Sequence, residues 1–207
     1  MASDTKDRIL CESLSLFNEN GYDSVTTARI AAKVGISEGN LWYHFRAKKD
    51  LVRAHQDNLV KRIDSRLAIQ STPETVLDAY TRFNQMVFRE VWEYQFLYRD
   101  QAEFGRISSD RDDRIHRIYG MTRDMILRFF RHMAEAGHID FPEEKLPFLA
   151  DNIWMVIRYW PSFLREARHV VQIDQEMLNL GIRHHFSLFD AWLTEDARAY
   201  FDANAYI

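Results

Sequence analysis

One cysteine in 207 residues leaves no partner for an internal disulfide, which suits a reducing compartment and makes the cytoplasm the expected location. Cys11 itself reads as a small apolar filler on a helix rather than a reactive thiol. Only four prolines and seven glycines punctuate the chain. β-branched alternation is also scarce, which disfavours a strand-rich fold and predicts an all-α protein. No apolar run approaches the roughly 18 residues that a membrane span requires; the best, Ile153-Trp154-Met155-Val156-Ile157, stops at Arg158. The amino terminus, MASDTKDR, is charged and has no apolar signal region, so neither export nor a membrane partner is expected. The eight histidines form no HxxxH or HExxH pair, and no glycine-rich phosphate loop or nucleophile elbow occurs. No metal, cofactor or catalytic residue is therefore expected.

What is present is a chain 46% apolar and 28% charged, the balance of a globular protein long enough to bury a substantial core. Its net charge is −4, but residues 24–53 carry six basic residues (Arg29, Lys33, Arg46, Lys48, Lys49, Arg53) against Glu38 and Asp50. A basic module of net +4 thus sits on an acidic remainder, an asymmetry that suits a local nucleic-acid surface.

The local patterns give that module a shape. Ile9, Leu10, Ser13, Leu16 and Phe17 recur at helical spacing, predicting a helix from about Thr5 to Glu19 stopped by Asn20-Gly21. Thr26 or Thr27 is a fit N-cap for a short second helix that Gly35 closes. Ser37 caps a third, Glu38 to Phe45, and Lys48 opens a longer one reaching about Ile69. Two short helices joined by Gly35-Ile36-Ser37, after a supporting helix, form the pattern of a helix-turn-helix. In that motif the second helix enters the major groove of double-stranded DNA with its first residues at base edges. Glu38, Gly39 and Asn40 are placed at that tip, with Asn40 expected to read adenine and Glu38 cytosine. Leu41 and Phe45 anchor the helix from behind. Tyr43 and His44 flank it toward phosphate oxygens, and Lys48 and Lys49 bring charge to the next helix start.

These residues resemble the tetracycline-repressor (TetR/AcrR) family of bacterial transcriptional regulators. Its pattern, roughly T-x-x-x-I-A-x-x-A-G-V-S-x-G-x-L-Y-x-H/Y-F-x-x-K-x-x-L, is met by Thr26 or Thr27, Ile30, Ala31, Gly35, Ser37, Gly39, Leu41, His44, Phe45, Lys48 or Lys49, and Leu51. Val34, Ile36 and Trp42 depart mildly, Trp42 standing where tyrosine is usual. The resemblance covers about residues 5–55. It implies an N-terminal three-helix DNA-binding domain, residues 1–52, and a larger helical effector-binding and dimerisation domain, residues 53–207. It also implies a homodimer, no enzymatic activity, repression of a palindromic operator, and release by a small effector.

All but five of the aromatic residues (Trp 5, Tyr 9, Phe 14) lie beyond residue 70, more than a modest core needs. Thr72-Pro73-Glu74, Ser109 with Asp110, Pro142-Glu143-Glu144 and Thr194-Glu195 mark expected helix starts. Two wide apolar faces, one holding Ile153, Val156 and Trp160 and the other Leu178, Ile182, Phe186 and Phe189, are expected to pair helices across a dimer. Gly181 would let them approach closely, although a merely tolerated glycine fits as well. Polar interruptions of apolar stripes point to a ligand pocket: Thr122 among Tyr119, Ile126 and Phe129, and Asn152 beside Leu149 and Ile153. With Phe83, Phe96 and Arg158, these form the expected lining for a largely apolar or aromatic effector. Thr122 and Asn152 also fit as hydrogen-bonded core residues. The alternative to a regulator is a helical small-molecule-binding protein, or a sensor that works through protein partners without an effector.

Overall fold

The computed structural model describes residues 2–99, 111–170 and 173–207, and the regular structure among them is helical, joined by turns and loops, with an isolated antiparallel bridge between Ile139 and Leu193. The helices are α1 (Ala2–Asn20), α2 (Thr27–Val34), α3 (Glu38–His44), α4 (Lys48–Leu67), α5 (Val76–Glu93), α6 (Gln95–Arg99), α7 (Arg111–Glu135), α8 (Leu146–Arg168), α9 (Gln175–Phe186) and α10 (Glu195–Asn204). Ser109 and Asp110, the expected start of α7, lie outside the described residues. Two compact units divide the chain: residues 1–62 with 93–109, and residues 63–92 with 110–207.

In the N-terminal unit α1 buries Ile9, Ser13, Leu16 and Phe17, one face at helical spacing, and Ile30 of α2, Leu41 of α3 and Leu51 of α4 are buried in the same unit. This unit reaches beyond the expected end at residue 52 because α6 completes its core. The Phe96 ring lies 5.2 Å from Phe17 and 5.7 Å from His55. Asn18 donates to the Glu93 carbonyl at 2.9 Å and accepts from the Phe96 amide at 3.1 Å. Arg99 donates to the Phe17 carbonyl at 3.1 Å. Phe96 is thus core of this unit and not part of a ligand lining in the other. His55 is also buried, its Nε2 2.9 Å from Ser13 Oγ. Because the Ser13 hydroxyl donates to the Leu10 carbonyl, its oxygen accepts from an Nε2–H. Burial pushes His55 down to about 4, so this neutral tautomer is the stable one.

The C-terminal unit is built around Tyr80 of α5, which is fully buried. Phe129, Phe130, Phe189 and Phe201 meet its ring edge-on at 5.4 to 5.9 Å, the favoured geometry for aromatic quadrupoles. Gly181 of α9 is where backbone comes close: a Cβ there would lie 2.7 Å from Phe88 and 2.8 Å from the Trp160 indole nitrogen. A buried ion pair, Arg66 Nε to Glu90 at 3.1 Å, ties the end of α4 to α5, with the guanidinium 5.3 Å over the Phe83 ring.

Several helix boundaries differ from expectation. Thr72 to Thr75 forms a closed turn (Thr75 N–H to the Thr72 carbonyl, 3.1 Å), so α5 starts at Val76 rather than at Pro73. Glu143–Lys145 is one 3-10 turn before α8. The apolar run through Phe189 is not one long helix either. After Phe186 the bonds tighten to i→i+3, with Phe189 N–H on the Phe186 carbonyl at 3.0 Å, and Phe189 leaves the helical region at φ −147°, ψ −2°.

Candidate nucleic-acid interface and effector core

Residues 26–49 assemble one exposed surface. Thr26 has extended backbone and its hydroxyl accepts from the Arg29 amide at 3.2 Å, so Thr26 rather than Thr27 is the N-cap of α2. Gly35 ends α2 at φ 78°, its N–H reaching the carbonyls of Ala31 and Ala32, a left-handed stop that a side chain would strain. Two residues later Ser37 accepts from the Asn40 amide at 3.2 Å and starts α3. The turn is therefore fixed by one cap at each side.

Leu41 and the C-capping Phe45 are buried and pin α3 from behind. The opposite side is open: Glu38, Gly39, Asn40 and Trp42 are exposed, and Tyr43 is 82% exposed. The half-buried His44 ring stands edge-on to Tyr43 at 5.3 Å. A Cβ on Gly39 would meet nothing nearer than Ser37 Oγ at 4.0 Å, so packing within the protein does not require glycine there. Thr27 donates its hydroxyl to Glu38 Oε1 at 2.5 Å, joining the first turns of α2 and α3. Lys48 sits 4.0 Å over the Tyr22 ring and donates to the Asp23 carbonyl at 3.5 Å, while Lys49 is exposed. Arg8 of α1 donates to the Val34 carbonyl at 2.5 Å, and Lys6 lies 5.7 Å over the Phe45 ring. Both add positive charge beside α3 that motif spacing did not single out; their charge on the outer face of α1 was the signal.

The expected effector residues do not converge. Phe83 and Phe129 are buried 5.5 Å apart, and Thr122 is buried on the same helix as Phe129, its hydroxyl without a partner. Tyr119 instead donates to Asp151 at 2.8 Å, beside Arg123 at 2.9 Å, and this hydrogen bond to the carboxylate raises the phenol above its usual range. Asn152 is exposed and Arg158 half-buried, while Phe96 belongs to the other unit. Tyr80, Asn84, His185 and Arg66 are buried polar groups that the sequence analysis did not single out, because their burial depends on neighbouring helices rather than on local pattern.

The expected dimer residues lie mostly inside the protomer. Ile153, Trp160, Leu178, Gly181, Ile182, Phe186 and Phe189 are buried inside the protomer, and Val156 is half-buried. They are occupied by contacts within one chain. The exposed apolar row of α8 is a different one: Phe148 (70% exposed), Met155, Tyr159 and Phe163, with Asn152 in line. No helix among the described residues is long and apolar enough to cross a membrane.

Comparison with known proteins bears on this architecture. Residues 9–55 match the family of bacterial regulatory proteins of tetR type, and residues 58–201 match a family described as bacterial transcriptional repressor. A TetR-family transcriptional regulator from Marinobacter aquaeolei VT8 is 32% identical, with a TM-score of 0.78 over 96% of this chain and 95% of that one. A TetR transcription regulator from Haloarcula marismortui shares the fold at 20% identity, with a TM-score of 0.64 over 93% of this chain and 100% of that one. IcaR, the negative transcriptional regulator of the biofilm operon icaADBC in Staphylococcus aureus, is 26% identical over 131 residues, 63% of this chain and 68% of that protein. With both parts of its length matched, the chain belongs to the TetR family of bacterial transcriptional regulators.

Proposed function

We propose that this regulator is a cytoplasmic homodimer that represses a palindromic operator and lets go of it when a small, largely apolar effector occupies the C-terminal unit. The observation that carries the reading is the tip of α3: Asn40 and Glu38 exposed over a Ser37 cap, backed by Leu41 and Phe45 and bordered by Tyr43, His44 and Lys49. A short helix so held offers base-reading groups to a major groove and phosphate-binding groups to its walls. Asn40 pairs with adenine, and Glu38 accepts from a cytosine amino group. The Thr27 hydroxyl is held by Glu38, so Thr27 acts on base choice by orienting that carboxylate rather than by gripping phosphate. Two half-sites about one helical turn apart, or somewhat more, match a two-fold dimer. The exposed α8 row from Phe148 to Phe163 supports pairing with a second copy, since an unpartnered apolar helix face of that length costs solubility. The effector works by differential affinity for the DNA-incompetent state.

The test is selection of duplexes from a random pool, followed by salt titration on the site recovered. Affinity is expected to fall by roughly a thousandfold or more between 50 and 200 mM salt as phosphate counterions are released. Asn40→Ala is expected to cost about 1–3 kcal/mol and relax preference at one base position. Binding indifferent to salt and sequence would overturn the reading.

A further inference from the structure

A lysine on a helix surface ordinarily samples many rotamers, and ordering it on a partner costs entropy at the moment of binding. Lys48, the first residue of α4, is held before any partner arrives. Its Nζ lies 4.0 Å from the centroid of the Tyr22 ring and donates to the Asp23 carbonyl at 3.5 Å. An ammonium at that range is attracted by the negative face of the ring. A ring, unlike a carboxylate, holds a cation without cancelling its charge.

Both sides of this contact are built on fixed backbone. The Tyr22 ring packs at 5.4 Å on Phe17, which is fully buried. Gly21 turns the chain at φ 80°, its N–H on the Phe17 carbonyl at 3.0 Å, and the amide of the buried Val25 returns to the Tyr22 carbonyl at 3.3 Å. On the other side Asp50 accepts from the Ala47 amide at 2.9 Å, the reach-back half of a capping box, and from Arg53 at 3.1 Å. The contact thus joins the turn that leads into the Thr26 cap of α2 to the first residue of α4.

We infer that Tyr22 is a positioning residue for DNA binding: its ring keeps the Lys48 ammonium in place as a ready-made grip for one backbone phosphate in each half-site. The inference rests on the reading of α3 as the helix that enters the groove, and it adds a residue that acts through Lys48 and not on the duplex itself. Lys48 stands at a helix N-terminus, where the dipole adds to the pull on an anion. Lys49 beside it is exposed and has its ordering cost still to meet on binding. A contact that only braced the turn against α4 would influence stability without working through the Lys48 charge, and the experiment separates these two roles.

Operator affinity is measured over a salt series, on the duplex that the wild-type chain selects, for Tyr22→Phe, Tyr22→Leu, Lys48→Ala and the double variant Tyr22→Leu with Lys48→Ala. Tyr22→Phe keeps the ring and is expected to bind like wild type. Tyr22→Leu is expected to bind about tenfold more weakly over two half-sites. Its salt dependence should stay as in wild type, because the phosphate contact is still made once the lysine is ordered. Lys48→Ala is expected to lower the slope of log affinity against log salt by about 1 per half-site. In the double variant the loss due to Tyr22→Leu is expected to vanish. Should Tyr22→Leu misfold, trifluorophenylalanine at position 22 keeps a ring of the same kind with a depleted π-face, and it is expected to bind more weakly than Tyr22→Phe. Equal binding by Tyr22→Leu, or an undiminished loss with Lys48 already removed, would overturn the inference. So would a Lys48→Ala slope equal to that of wild type. A wild-type chain that selects no duplex sinks the regulator reading and this inference together, whereas a wild type that binds while the two substitutions act independently sinks only the role of Tyr22.

Discussion

Gly35 and Ser37 are two residues apart and settle opposite ends of two helices, one by a left-handed φ and the other by a side-chain oxygen. Removing the Ser37 oxygen in Ser37→Ala is expected to cost about 1 kcal/mol in urea denaturation, with operator affinity reduced as α3 frays. Gly181→Ala fails for another reason, because its new methyl would collide with Phe88 and Trp160. Overpacking of that kind costs roughly 1–3 kcal/mol, which a fall in thermal midpoint would show. Ser37 was legible in the sequence because capping is local. Gly181 was only half legible: its spacing suggested close approach, but not that the neighbour is Phe88 of its own chain. The burial of Asn84 and His185 was not legible at all, since it depends on what every surrounding helix covers.

At the scale of elements, α8 carries two apolar rows, and periodicity alone does not say which of them its own chain covers. Ile153 and Trp160 are spent inside the protomer, whereas Phe148, Met155, Tyr159 and Phe163 remain exposed. Tyr159→Glu is therefore expected to shift the protein toward monomer in analytical ultracentrifugation with its helix content intact. The same charge at Ile153 is expected to unfold the chain instead. α9 was overestimated in length because Phe189 continues a helical spacing that the backbone abandons at Ser187, whose hydroxyl turns back to the His184 carbonyl at 2.8 Å. α6 was not foreseen: five residues give too short a pattern to show that Phe96 packs on Phe17.

Over the whole molecule, each compact unit holds one buried neutral histidine, His55 and His185. Their folded-state values, about 4 and about 3, lie below the ordinary 6.5. The stability from keeping them neutral is thus fully present above pH 6.5. It is lost as pH falls toward the folded values, because only the unfolded chain takes up the protons. Each histidine contributes a slope of up to about 1.4 kcal/mol per pH unit. The urea midpoint is expected to fall from pH 6.5 to 5, before carboxylates protonate, and His55→Gln is expected to flatten that fall. The helical class was legible from scarce glycine and scarce proline, which are properties of the chain as a whole. The last consequence belongs to Arg66 and Glu90. Losing either alone strands the other's charge in the interior at a cost of about 3–5 kcal/mol, whereas an apolar pair in their place is close to neutral. Descendants of this chain should keep both or have exchanged both, because the intermediate steps lie in a valley that a marginally stable protein rarely survives crossing.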